Sequence, residues 1–341
     1  MPISRSAHSG SRVTVATLRD VARAAGVSTA SASRALASGG GVSPELDGRI
    51  RAAAARLGYH TNLAARTLAS RRSGLVGVIV ETLADPVVAG LVEALERALV
   101  AEGYGAVLAT TGGSPERRLA ATRTLLGRGA EALAFAGVAP VCAEIDLMGA
   151  HGVGWACLSD EPGEGSIAID TGHRRGGALA CRYLLDLGHL RFAVLAPAGA
   201  ATRDGAAAAL GESTSAVLFG DAAASGQRAD VARVTMQALL QRDAPPTAVV
   251  CSSDAEALAA MRECVARGVG VPAEVSIVGF GDAVFARHAV PALTTLRISS
   301  AAIGARAAEA LLANVRGQAP LPPYEAPIKL VVRDTTGPPP H

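Results

Sequence analysis

Residues 17–38, TLRDVARAAGVSTASASRALAS, hold two short helical patterns separated by Gly26 and Val27. Thr17 is suited to cap the first, because its hydroxyl can accept from the amides that open a helix. Leu18, Val21, Ala22 and Ala25 then recur at helical spacing. Gly26 supplies a sharp turn, Val27 can pin that turn to a core, and Ser28 can cap a second helix, STASASRALA. In that helix Ala32, Ala35 and Leu36 face inward, which leaves Thr29, Ala30, Ser33 and Arg34 outside. This spacing predicts a helix-turn-helix whose second helix is slim enough to enter a DNA major groove.

Working outward, GGGVSPE follows, where Ser43 can cap a third helix and Pro44 suits its first position. Ile50, Ala53, Ala54 and Leu57 of RIRAAAARLGY would close a three-helix core. The charge agrees with this. Residues 1–74 contain eleven arginines against Asp20, Glu45 and Asp47, a net +8, whereas the remainder carries −6. A basic head on a mildly acidic body suits a polyanion partner for the head alone. Residues 61–71, TNLAARTLASR, offer a short helix without a broad apolar stripe. Such a segment is marginal alone, so it reads either as a flexible linker or as a hinge that becomes helical on DNA.

From residue 74 the pattern changes. LVGVIV, GAVLAT and EALAFAG alternate with amphipathic helices, and a second series runs from RFAVLAP through TAVVCSS to VSIVGFG. Continuous apolar strands alternating with helices predict parallel sheets covered on both faces, here in two lobes with a cleft where strand ends converge. At 341 residues, 50% hydrophobic and 3% aromatic, the chain can build several domains on an aliphatic core. The N-terminus lacks a secretory h-region, and no apolar run of membrane-spanning length lacks charge or a breaker. A cytoplasmic protein with no membrane contact is expected. Cys142, Cys157, Cys181, Cys251 and Cys264 are scattered without ligand spacing, so buried reduced thiols are expected. No catalytic constellation, metal site or cofactor motif stands out. His189, in LGHLRF, is taken as structural at a helix-to-strand turn, and His151 and His173 lack partners at metal spacing.

These stretches together resemble the LacI/GalR family of bacterial transcriptional regulators. TLRDVARAAGVS, the Ser33-Arg34 pair, VSPE, the LGY-x-x-N-x-x-A-R-x-L pattern at 57–68, and the LGH, P-x-L-T-T and VP-x-x-VSIVGF blocks occur in family order over about residues 13–335. The resemblance implies an all-α helix-turn-helix domain at 13–60 and a hinge helix or linker at 61–73. A two-lobed periplasmic-binding-protein-like α/β core follows, with 74–167 and 293–318 in its N-terminal lobe and 168–292 and 319–336 in its C-terminal lobe. It also implies a homodimer on double-stranded operator DNA. The residues expected at DNA are Thr17, Ser28, Thr29, Ala30, Ser33, Arg34, Tyr59, Asn62, Ala65 and Leu68, the last as a wedge parting a base step. The chain departs from the family at Thr61, where a proline is usual, and at Asp47, where an arginine is usual and a phosphate contact is weakened.

For the cleft, the resemblance implies a small-molecule effector, a sugar or related metabolite, contacted at Arg203, Ser253, Asp254, Gly281 and Asp282. Ser253 and Gly281 replace the family's customary asparagine and aspartate, so two hydrogen-bonding positions are lost. Phe135, Trp155, Phe219, Phe280 and Phe285 are the candidate aromatic liners. The expected function is therefore a sequence-specific regulator, a repressor under effector control. An activator or an effector-independent regulator is the alternative, and a pure small-molecule-binding protein is the rival of a different class.

Overall fold

A computed structural model describes residues 16–36, 42–59, 72–137, 139–159, 167–197, 200–211, 215–219, 227–322 and 324–340. The chain divides into two units, residues 1–73 and 74–341.

The first unit is built on α1 (Leu18–Ala25), α2 (Thr29–Leu36) and α3 (Pro44–Arg56). Thr17 and Asp20 cap α1 reciprocally: the Thr17 hydroxyl accepts from the Asp20 amide, and the Thr17 amide donates to the Asp20 carboxylate at 3.0 Å. Gly26 ends α1 in the left-handed region, at φ 66°, and Val27 N–H closes the turn on the Ala22 carbonyl. Ser28 accepts from the Ser31 amide at 3.1 Å, opening α2. The core is Val21, Ala22, Ala25, Ala32, Ala35, Ile50, Ala53 and Ala54, joined by Leu18, Val27, Leu36, Val42, Leu46 and Tyr59. Leu57, expected in that core, caps the end of α3 instead and is 38% exposed. Leu46 and Tyr59 pack there in addition. Such small side chains let the helices approach closely, and two arginines complete the packing. Arg49 donates to the Ala25 carbonyl at 2.6 Å and Arg51 to the Ala35 carbonyl at 2.9 Å, each satisfying a helix end.

The second unit carries two sheets. The first is ordered β2-β1-β3-β4-β5, from β1 (Leu75–Val80), β2 (Gly105–Thr110), β3 (Ala132–Ala136), β4 (Gly154–Leu158) and β5 (Ile167–Ile169), and all its pairs are parallel. Its helices are α4 (Pro86–Ala101), α5 (Pro115–Gly127) and α6 (Cys142–Ala150). The second sheet is ordered β11-β10-β9-β8-β6-β7. It contains β6 (Arg191–Leu195), β7 (Ser215–Phe219), β8 (Ala248–Cys251), β9 (Ser276–Phe280), β10 (Thr294–Ile298) and β11 (Ile328–Val331). Against it stand α7 (His173–Asp186), α8 (Ala201–Leu210), α9 (Arg228–Leu240) and α10 (Asp254–Ala266). α11 (Ser300–Val315) returns to the first lobe, against α4, β3, β4 and β5.

Two lobe boundaries differ from the sequence reading. β10, assigned with 293–318 to the N-terminal lobe, pairs with β9 and β11 in the second sheet, so the crossing falls at Ser299. Residues 168 and 169, assigned to the C-terminal lobe, lie in β5, which pairs with β4 in the first sheet. Strands join the sheet whose ladder they complete, and the loop lengths in the sequence do not say which sheet that is. β11 is antiparallel to β10, a departure from a wholly parallel sheet.

Candidate functional site

In the head, Thr29, Ala30, Ser33 and Arg34 are all exposed on α2, opposite the buried Ala32 and Ala35. A helix with alanine toward its core and small polar groups outside presents little bulk, so its backbone can lie deep in a groove. Thr17 and Ser28 are exposed at the openings of α1 and α2, and both hydroxyls are engaged locally, Thr17 with Asp20 and Ser28 with Ser31. Tyr59 is half-buried against the head core. Asn62, Ala65 and Leu68 lie outside the described residues. Asp47, the acidic departure in α3, accepts from Arg51 at 2.6 Å. It thus steadies the arginine that holds the end of α2, a role its position in the sequence did not disclose.

In the second unit a cavity of about 270 Å³ opens between the sheets, at the carboxyl ends of their strands. This is where ligands of doubly wound sheets bind. Glu81, Thr82, Asp85 and Val87 line it from the first lobe, and Ala201, Thr202, Arg228, Ser252, Ser253 and Phe280 from the second. Thr171 and His173, at the start of α7, complete one wall. His173 stacks on Phe280 with ring centroids 4.2 Å apart and planes 14° apart, and its Nδ1 lies 2.9 Å from the Thr171 hydroxyl. Asp85 caps α4, accepting from the Val87 and Val88 amides. Glu256 is buried behind Ser252, whose hydroxyl donates to it at 2.7 Å. Burial raises the Glu256 pKa, and the Ser252 bond and the nearby Arg228 charge offset this in part.

Of the five expected effector residues, Ser253 alone lines the cavity, and its hydroxyl also accepts from the Glu256 amide to cap α10. Arg203 is half-buried on α8 and does not line the cavity, because the helix turns Ala201 and Thr202 toward it. Asp254 is structural. Its carboxylate accepts from the Thr295 hydroxyl at 2.5 Å and the Ala283 amide at 2.6 Å, and burial raises its pKa. Asp282, its side chain 4% exposed, is clamped by Arg297 and Arg333 at 2.5 Å each. Burial opposes its charge, but those two arginines outweigh that and lower its pKa. Gly281 has φ 124°, and a Cβ there would meet Val87 Cγ2 of the first lobe at 2.6 Å. Val87 therefore occupies the room that a side chain at 281 would need. Arg228 and Thr202, like Glu81, Thr82, Asp85, Thr171 and Ser252, are lining groups that the sequence did not single out; for the first two a signal existed only in their position at the first turns of α9 and α8.

Among the candidate aromatics, Phe280 lines the cavity, while Phe135 and Trp155 pack edge-to-face in the first-lobe core, centroids 6.0 Å apart. Phe285 is half-buried away from the cavity, and the Phe219 side chain lies outside the described residues. His189 is fully buried, with Nδ1 3.0 Å from the Thr247 hydroxyl and Nε2 donating to the Gly337 carbonyl at 2.9 Å. Cys157, Cys181, Cys251 and Cys264 are buried and Cys142 is exposed, the last against expectation. Burial pushes the Cys157 thiol up to about 11 and Cys181 to about 12. Among the described residues no cluster of His, Cys, Asp and Glu could hold a metal, and no helix is long and apolar enough to cross a membrane.

Residues 17–62 match the family described as bacterial regulatory proteins, lacI family, and residues 181–336 match the periplasmic binding protein-like domain. The chain is 31% identical to the HTH-type transcriptional regulator reg1 of Streptomyces lividans, over 94% of this chain and 96% of that protein. It is similar to the lac repressor dimer solved with operator and the anti-inducer ONPF, at 27% identity and a TM-score of 0.79, covering 95% of this chain and 100% of that one. It is also similar to the transcriptional regulator CelR in complex with cellobiose, at 26% identity and a TM-score of 0.67, covering 94% and 99% of the two chains. The groove-ready α2, the two-sheet core and these likenesses agree: this chain belongs to the lacI family of bacterial regulatory proteins and is a sequence-specific DNA-binding regulator.

Proposed function

We propose that this regulator is a homodimeric repressor whose hold on operator DNA is set by a small molecule in the cavity between its lobes. The observation that carries the reading is the exposed face of α2, Thr29, Ala30, Ser33 and Arg34, on a head with a net charge of +8 over residues 1–74. Arg34 can pair with guanine or anchor on phosphate, Ser33 suits phosphate, and Thr29 and Ala30 can pack on a thymine methyl. Thr17 and Ser28 would flank the backbone, with Tyr59, Asn62 and Ala65 beside it and Leu68 as the minor-groove wedge. Residues 13–60 would form the reading domain and 61–73 the hinge. The dimer is supported by the likeness to the lac repressor, itself solved as a dimer on operator. Effector control is supported by the cavity and by the likeness to CelR, solved with cellobiose.

The test is selection of operators from a random duplex library by the purified full chain, followed by comparison with Arg34→Ala. If Arg34 reads a base, the change should weaken operator binding about tenfold to a hundredfold and random-duplex binding much less. Equal losses on both duplexes would reassign Arg34 to phosphate. Failure to enrich any operator at low salt would overturn the DNA-reading role of α2.

A further inference from the structure

We propose that the cavity selects a hydroxylated small molecule bearing one oxyanion, a phosphate or a carboxylate, gripped by Arg228 and Thr202. The assignment rests on the reading of the cavity as an effector site and names the class of compound it takes. Three buried side-chain polar atoms lack a hydrogen-bond partner among the described residues, and two of them belong to cavity-lining residues: Arg228 Nε and Thr202 Oγ1. Thr202 is 0% exposed. A buried polar group without a partner is costly and therefore rare, so two at one cavity mark a partner that arrives from outside. A guanidinium and a hydroxyl together are complementary to an oxyanion, since both donate and the guanidinium supplies the charge.

Two further features favour negative charge at this end. α8 and α9, of 10 and 13 residues, open at the cavity, and neither Ala200 nor Gln227 caps its helix with a side chain. Their opening amides add partial positive charge. The acids nearby are already engaged. Glu256 is bonded to Ser252 and, although the Arg228 charge lies near it, its burial favours the neutral form; Asp254 is bonded to Thr295 and Ala283, and Asp282 to its two arginines. Thr202 is held in place by the close approach of α7 and α8, where a Cβ at Gly177 would collide with the Thr202 carbonyl.

The opposite wall has the other character. Glu81, Thr82 and Asp85 bring acceptors from the first lobe, which suit hydroxyl groups and repel a second anion. One anionic end and one hydroxylated end therefore fit across about 270 Å³, the lower end of small-ligand cavities.

The test uses the full chain with its selected operator and a panel of neutral hexoses, the matching hexose 6-phosphates, the matching aldonic acids, and inorganic phosphate. Melting temperature and operator affinity are read for each compound. An anionic sugar should shift both, its neutral counterpart should shift neither, and the phosphate and aldonate arms identify which oxyanion is taken. Arg228→Gln should weaken that compound about tenfold to a hundredfold, and Arg228→Lys should restore part of the loss. Thr202→Val should weaken it severalfold while raising the melting temperature of the unliganded protein by about 2 °C, because it removes an unbonded buried hydroxyl. A neutral hexose that binds equally well to Arg228→Gln would overturn the oxyanion assignment and leave effector control standing. No response to any compound, with operator binding intact, would overturn both.

Discussion

His189 is fully buried between Thr247, Ser276 and Gly337 and ties the C-terminal segment to the second sheet. The bond to the Gly337 carbonyl requires a proton on Nε2, so in the neutral ring Nδ1 accepts from Thr247. Burial lowers its pKa from the ordinary 6.5. The unfolded chain therefore binds more protons than the folded one below that value, and stability falls as pH drops through 6.5 toward the lower folded value. His189→Gln keeps a donor and an acceptor but cannot titrate. Its melting temperature should be lower at pH 7.5 and fall less between pH 7.5 and 5.5 than that of the parent; an equal fall would assign the acid sensitivity elsewhere. The structural role of His189 was legible in the LGHLRF motif because a histidine between a helix end and a strand has no nucleophile to serve. Arg228 was not. A forked cation at the start of a helix looks the same at 203 as at 228, and only the rotations of α8 and α9 decide which of them meets the cavity.

The turn between α1 and α2 was the most legible element, because the glycine, the caps and the apolar spacing all agree there. Its physics can be isolated at Gly26. The residue sits at φ 66°, while a Cβ would lie 3.7 Å from Arg49, in ordinary contact. Gly26→Ala should therefore destabilise the head by about 1–2 kcal/mol through backbone conformation alone. Gly26→Asn should cost less, since asparagine tolerates that region better. Denaturant unfolding of the full chain, followed on the head's transition, measures both; equal costs would show that the strain lies in packing instead. The ends of the other elements were less readable. Leu57 has the spacing of a core residue but comes at the last turn of α3, where the helix no longer faces its neighbours.

At the scale of the molecule, alternation of apolar strands and amphipathic helices revealed two lobes, and the sheets bear this out. The path between lobes was harder to see. The chain crosses near residue 170, at Ser299, and between α11 and β11, and of these connections only the last, with Pro320, Pro322, Pro323 and Pro327, has a composition that marks it. The lobes meet at the cavity rim, where Val87 of α4 stands against Gly281 after β9. Gly281→Asp should accordingly destabilise the core by about 2–4 kcal/mol, from a clash with Val87 and from a φ of 124°. Adding Val87→Ala should recover about 1–2 kcal/mol of that loss, a coupling that a double-mutant cycle in denaturant reads directly. Additive changes would show that the valine is not what fills the space.

That contact also fixes the order in which the cavity can be redesigned. With a valine over the glycine, an aspartate cannot be placed at 281 in one step, because Gly281→Asp with Val87 in place gives a less stable protein. Shortening Val87 has to come first, so an acidic group at this rim demands a paired change in both lobes.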